Sequence, residues 1–260
     1  MTRPPAWAWA PFALALGILV IPLAGLLATV SWSQIPELLA RPTARDALGL
    51  SIRTCLASTV VVMLLGIPAA HILARSRAWW TPWARTLVTV PMVLPPVVAG
   101  MALLVTLGRR GLIGEKLDAF GLQIGFTTIA VVIAQVFVSL PFLIVALEGA
   151  IRASDRRLER AAALLGAGPT RTFLRVTLPT VLPAIASGTA LAFARSLGEF
   201  GATITFAGSL QGVTRTVPLE IYLLRESDSE LSMALAAILL GVAAVVVGIS
   251  MRLQVRSSHD

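Results

Sequence analysis

Side chains capable of chemistry are sparse in this 260-residue chain, and few are spaced to act together. Its two histidines, His71 and His259, and its single cysteine, Cys55, are too far apart in sequence to suggest a metal-ligand set. Cys55 lies inside an apolar run and reads as a small buried residue with no disulfide partner. No stretch fits G-x-x-x-x-G-K-[ST], so a phosphate loop is not expected. A pair that could act together is Arg195 and Glu199, within "FARSLGEFGATITFAG". Four residues apart, they share one helical face and can neutralise each other. An unpaired arginine at the centre of a bilayer costs about 2.5–3.5 kcal/mol on insertion scales. Two readings stay open for this stretch, a structural ion pair or an element lining a gate. For a gate, Gly201 would let backbones approach closely and Thr203 and Thr205 would offer uncharged hydroxyls. Arg53 raises the same choice between snorkelling to an interface and lining an anion path.

The elements that must position these residues are membrane helices. Hydrophobic residues make up 57% of the chain and charged residues 13%, against roughly 25% charged in soluble domains. Mean hydropathy is +0.85. An apolar run of about 20 residues crosses the hydrocarbon core, and six such runs are expected, at about 7–30, 47–74, 83–107, 126–150, 178–197 and 232–251. Together they form one all-α polytopic membrane domain. The first is too long for a signal-peptide core and lacks a cleavage motif, so it reads as a retained anchor. Pro91, Pro95 and Pro96 break the third, either as a kink facing a pore or as simple helix shaping. Trp79, Trp80 and Trp83, with Trp7, Trp9 and Trp32, read as aromatic belts at the lipid interface.

The net charge is +8 and comes almost entirely from arginine, Lys116 being the only lysine. No basic patch interleaved with aromatics sits on a polar domain, so nucleic acid is not an expected partner. With the N-terminus inside, the inner segments carry Arg3, Arg75, Arg77, Arg85, Arg152, Arg156, Arg157, Arg160, Arg171, Arg175, Arg252 and Arg256. The outer segments carry Arg41, Arg45, Arg109, Arg110, Lys116, Arg215 and Arg225. That excess places both termini in the cytoplasm.

Between the fourth and fifth runs lies a polar interruption, about 152–177, containing "ERAAALLGAGPTRTFLRVTLP". Ser154-Asp155 can cap a helix start. Leu158, Ala161, Ala162 and Leu165 then recur at i, i+3, i+4 and i+7, one apolar stripe. Gly166-Ala-Gly168-Pro169 ends the helix. Such a helix either rests on lipid headgroups or fits a groove on another protein. Alanines and a glycine suit the tighter protein contact.

This interruption resembles the EAA loop of type I ATP-binding-cassette importer permeases. Ala161-Ala162, Gly166, Val176, Leu178 and Pro179 fall at that loop's spacing. The glutamate is displaced: Glu159 stands one place early and Arg160 occupies its usual position. The resemblance implies a coupling helix, through Leu158, Glu159, Arg160, Ala161, Ala162, Leu165 and Gly166, that seats on separate ATPase subunits. "RSLGEFGATIT", Thr214, Thr216, Pro218 and Tyr222, with "LGIPAAHILARSR", "LPPVVAGMALL" and "GRRGLIG" upstream, resemble the molybdate-permease branch.

That resemblance implies a channel-forming subunit, not itself an enzyme and with no cofactor, working with cytoplasmic ATPases, an extracytoplasmic oxyanion-binding protein and a second permease copy in the inner membrane. Arg195, Glu199, Gly201, Thr203 and Thr205 would then belong to the translocation gate, with Arg53 and Pro95 as further pathway positions. Sulfate, thiosulfate and tungstate permeases are the neighbouring alternatives. An ion-gradient secondary transporter is the more distant one, and it is disfavoured because no internal repeat is visible.

Overall fold

The computed structural model describes residues 5–257. Arg3, His259 and the side chain of Arg256 lie outside it. Among the described residues every regular element is helical: α1 (Trp9–Thr29), α2 (Ile35–Ala40), α3 (Pro42–Arg75), α4 (Thr81–Val93), α5 (Pro96–Leu107), α6 (Gly114–Ala119), α7 (Thr128–Ala153), α8 (Arg156–Leu164), α9 (Pro169–Thr172), α10 (Leu178–Thr180), α11 (Leu182–Leu197), α12 (Gly201–Phe206), α13 (Val217–Leu224) and α14 (Ser229–Ser257). Four stretches, Ala6–Thr29, Pro42–Arg75, Thr128–Ala153 and Ser229–Arg252, are each long and apolar enough to cross a membrane unaided. Two bent pairs bring the count to six.

The core is the packing of α3 on α7 and of α11 on both. Small residues allow it. A side chain at Gly188 would meet Leu143, and Leu143 also fills the space at Gly66. At one end of α7, Ile144, Leu147 and Ile151 pack with Ala70 and Leu73 of α3 and Ile185 of α11. At the other end Ala130, Val131, Ala134 and Val138 pack with Ala99, Leu103 and Phe206.

The third apolar run is not one straight helix. It breaks at Leu94-Pro95, with a bend of 115° between α4 and α5. Pro95 and Pro96 have no N–H to continue the ladder, and proline disfavours helical geometry in the residue before it. Leu94 is accordingly extended, at φ −63° and ψ 134°. Each arm is about 18–20 Å long at 1.5 Å per residue, too short to cross alone. Ala84 and Val88 of α4 lie at the Ile144–Ile151 end of α7, whereas Ala99 and Leu103 of α5 lie at the Ala130–Val138 end. The two arms thus run from one end of the bundle to the other despite the bend.

The fifth run is broken as well, at Val181, and the chain breaks again just after it, where α11 stops at Leu197 and α12 begins at Gly201. Pro169–Thr180 meets α11 at 74°, and Phe173–Thr177 within it is a π-helical turn. Pro179 cannot donate to a carbonyl one turn back, and the wider turn accommodates that gap. In contrast, α1 packs on almost nothing, and none of its residues is buried.

Candidate functional site: an outward-facing short helix and a double helix break

α8 begins where the sequence suggests. Asp155 is the N-cap, and its Oδ1 accepts the Arg157 N–H at 2.8 Å. It ends in a Schellman motif: the Gly166 N–H bonds the Ala163 carbonyl and the Ala167 N–H bonds the Ala162 carbonyl, both at 3.0 Å. Gly166 has φ +82°, the left-handed conformation that closure requires.

The orientation of α8 is the informative feature. Its apolar side turns away from the chain: Leu158 is 55% exposed, Leu164 89% and Leu165 87%. Ala161 is exposed and Ala162 half-buried. Arg156 and Glu159 turn toward the chain, where with Arg160 and Ala163 at the rim they line an open cavity of about 540 Å³ against His71 and Arg75 of α3. A helix lying alone on its own protein would do the opposite. Glu159 is held from two sides. Arg75 Nη2 donates to Glu159 Oε1 at 2.6 Å, and Thr177 Oγ1 donates to the same oxygen at 2.9 Å. Arg75 also reaches Ser154 Oγ at 3.1 Å. Burial pushes the Glu159 carboxyl up. The bonds from Arg75 and Thr177 and the charges of Arg75 and His71 outweigh it and hold the group below its ordinary value. The displaced glutamate therefore faces α3, while Arg160 is exposed beside it.

The second assembly lies deeper. Arg195 Nη1 and Glu199 Oε2 are 2.6 Å apart, and the Glu199 side chain is 1% exposed. Its other oxygen, Oε1, accepts the Ala202 N–H at 2.7 Å and so caps α12. Gly201 packs on the break of the other bent run: a Cβ there would stand 2.7 Å from Pro96 Cβ and 3.2 Å from Val97 N. One turn further, a Cβ on Gly100 would stand 2.7 Å from Thr205 Cβ and 2.8 Å from the Ala202 carbonyl. These contacts make α5 and α12 close neighbours, joined where each follows its break. Thr203 is fully buried and its hydroxyl has no partner among the described residues. Thr205 Oγ1 returns to the Gly201 carbonyl at 2.8 Å.

Phe200, in the α11–α12 break, packs against Tyr222 of α13 at 5.1 Å between ring centroids, and Arg225 lies 4.9 Å over the Tyr222 ring. Thr214 Oγ1 accepts from the Leu210 N–H at 2.8 Å, a loop-shaping contact. Arg53 is exposed on α3, apart from this junction and without an ion pair among the described residues. Of the positions singled out in the sequence, Gly201 and Thr205 thus meet α5 just beyond Pro95, with Glu199 bonded to the same short helix α12, and residues 158–166 lie apart from them in and after α8. Sequence reasoning missed Arg75 and Thr177 as the partners of Glu159, Gly100 as the counterpart of Gly201, and the pairing of Arg85 with Glu148 at 2.6 Å.

Residues 62–259 match the family described as "Binding-protein-dependent transport system inner membrane component". This chain belongs to that family. Among the curated relatives of this inner membrane component is the molybdenum transport system permease protein ModB of Mycobacterium tuberculosis, 51% identical over 243 residues, covering 94% of this chain and 92% of that protein. The protein of the same name from Escherichia coli (strain K12) is 40% identical over 205 residues, covering 78% and 90%. Among solved structures, a bacterial alginate ABC transporter in complex with its alginate-bound periplasmic protein aligns with a TM-score of 0.65 at 17% identity, covering 94% of this chain and 92% of that one. The architecture of this inner membrane component is that of an ABC importer permease.

Proposed function

We propose that this chain is the channel-forming subunit of an ATP-driven molybdate importer. The observation that carries the mechanical half of this reading is α8, which turns Glu159 toward its own chain and leaves Leu158, Leu164 and Leu165 exposed. A short helix of that kind suits a groove on a separate cytoplasmic ATPase. The cargo half rests on the two relatives named as molybdenum permeases.

In this reading the six crossings are the two bent pairs and the four continuous spans, with α8 and both termini on the cytoplasmic side. Closure of two ATPases draws two coupling helices together. The junction of Pro95–Val97 with Gly198–Thr205 is the gate those helices move, and Arg195 neutralises Glu199 so that a divalent oxyanion is not repelled there. A second copy of this chain completes the pathway, which fits an α1 with no buried face and an exposed Arg53 on α3. Lipid surrounds the assembly at the exposed tryptophans. Selectivity resides in an extracytoplasmic oxyanion-binding protein, since a pore that holds its cargo tightly cannot release it.

The test is reconstitution in vesicles with the ATPase and binding protein, measuring uptake of labelled molybdate against unlabelled molybdate, tungstate, sulfate and thiosulfate. Leu165→Glu places a charge on the outward face of α8, where the side chain is almost wholly exposed. It is expected to abolish ATPase co-purification and uptake while leaving membrane insertion intact. Uphill uptake without any ATPase, or normal uptake by Leu165→Glu, would overturn the mechanical reading. No uptake of labelled molybdate by vesicles that do take up labelled sulfate would overturn the cargo.

A further inference from the structure

A second line of contacts leaves the coupling region and ends at the same gate. α3 stops at Arg75, so the carbonyls of its last turn lack helical donors. Arg85 of α4 supplies one, its Nη2 donating to the Leu73 carbonyl at 2.7 Å. The Nε of the same guanidinium donates to Glu148 Oε1 of α7 at 2.6 Å, and Arg152 stands 3.6 Å from that oxygen. One planar fork therefore ties three helices. Two residues beyond Leu73, Arg75 holds Glu159 and Ser154 of the coupling segment. The chain of bonds runs from α8 through the foot of α3 to the foot of α4, and α4 leads to the Pro95 break.

We propose that Arg85 is a positioning residue that makes α4 follow the coupling helix, so that both broken runs are driven at their shared junction. This rests on the coupling reading above. The fifth run is driven covalently, because α11 continues from the coupling segment through Val181. The third run has no such connection. Its foot joins α3 through residues 76–80, and only side chains link it to the coupling segment. Arginine suits the task because its fork satisfies a carboxylate and a carbonyl at fixed relative geometry, where lysine would hold one of them. If α11 moved while α4 stayed, the close approaches at Gly100 and Gly201, which leave no room for a Cβ, would have to open or collide.

The test uses the assembled complex with two single-cysteine reporters. Val97→Cys sits in the first turn of α5, where Val97 is 51% exposed, and Leu182→Cys at the start of α11, where Leu182 is 59% exposed. Cys55 is fully buried and contributes no background. Thiol-modification rates are compared with and without ATP plus vanadate. In the unmutated protein both reporters are expected to respond. Arg85→Gln is expected to reduce the response at position 97 by about fivefold or more, a coupling loss at the lower end of the usual range, and to leave position 182 responsive. Arg85→Lys is expected to fall between the two. Should Arg85→Gln fail to insert, Glu148→Gln removes the carboxylate side of the same link while leaving Leu73 bonded, and it is expected to act in the same direction. A full response at position 97 in these variants overturns the proposal while leaving the coupling reading standing. Absence of a nucleotide response at both positions in the unmutated protein overturns both.

Discussion

Replacing Gly100 by alanine tests whether α5 and α12 form a single tight unit. The added methyl would stand 2.7 Å from Thr205 Cβ, 2.8 Å from the Ala202 carbonyl oxygen and 2.9 Å from Ala202 Cα. Carbon pairs settle near 3.5–4.0 Å, so the two helices must separate by about 1 Å. Two of the three obstacles are backbone, which cannot rotate aside. Overpacking of this kind costs roughly 1–3 kcal/mol. If the packed junction belongs to only one of the two access states, that penalty shifts the gate equilibrium by about 5–150-fold. If it belongs to both, the penalty lowers stability alone.

The assay is paired: thermal unfolding of the purified permease, and initial molybdate uptake in vesicles containing the full complex. Gly149→Ala is the control. It lies in α7, and no other side chain or neighbouring helix comes within 4 Å of the point its new methyl would occupy. A helical glycine replaced by alanine gains about 0.5–1 kcal/mol. Gly149→Ala should therefore melt no lower than the parent and transport normally, while Gly100→Ala should melt several degrees lower. A loss of uptake larger than the loss of folded protein would place the junction at the gate. If Gly100→Ala matched the parent in melting and in uptake, the close packing of the two breaks would be refuted.

Other outcomes follow from the ion pairs. Because the Glu159 carboxyl is held below its ordinary value of 4.5 in the folded state, its contribution to stability is fully present above that value and disappears as pH falls through the lowered one. The melting difference between parent and Glu159→Gln should thus shrink as pH falls below about 5; a difference unchanged between about pH 5 and about 3 would contradict it. Arg195→Ala leaves Glu199 buried without its cation and should cost about 3–5 kcal/mol, seen as lost expression or melting. Arg195→Ala with Glu199→Gln should recover most of that loss, whereas equal damage in the double variant would assign Arg195 a role beyond neutralisation.

How much of this was legible in the sequence depended on the range of the interactions. Membrane class and helical fold follow from composition and run length, because each spanning residue answers separately to lipid. The helix α8 was legible for the same local reason: its caps, Asp155 and Gly166, lie only eleven residues apart. The prolines announced a break near Pro95 but not its 115° angle, which depends on how α5 packs against α12. The clamps were not legible. Arg75 and Glu159 are 84 residues apart, and Arg85 and Glu148 are 63 apart. Arginines at the foot of a membrane helix are already explained by their preference for the cytoplasmic side, so nothing singled these two out. Glu148, an acid at the end of an apolar run with Arg152 four residues on, was the one local hint. The inward turn of Glu159 was hidden as well, since a helical stripe says which residues share a face and not which face is turned to the chain.

The proposed orientation rests on the count of Lys and Arg in the short flanks of the spans and not on net charge, so ion pairs with carboxylates do not alter it. In that reading α8 and the arginines around it lie on the cytoplasmic side, and the loop that carries Arg109, Arg110 and Leu112 lies outside. Single cysteines at exposed Leu112 and Leu165 read it directly, because the natural cysteine is buried. In right-side-out vesicles a membrane-impermeant maleimide should label Leu112→Cys at once and Leu165→Cys only after the vesicles are opened. Labelling in the reverse order would invert the topology and, with it, remove α8 from the reach of a cytoplasmic ATPase.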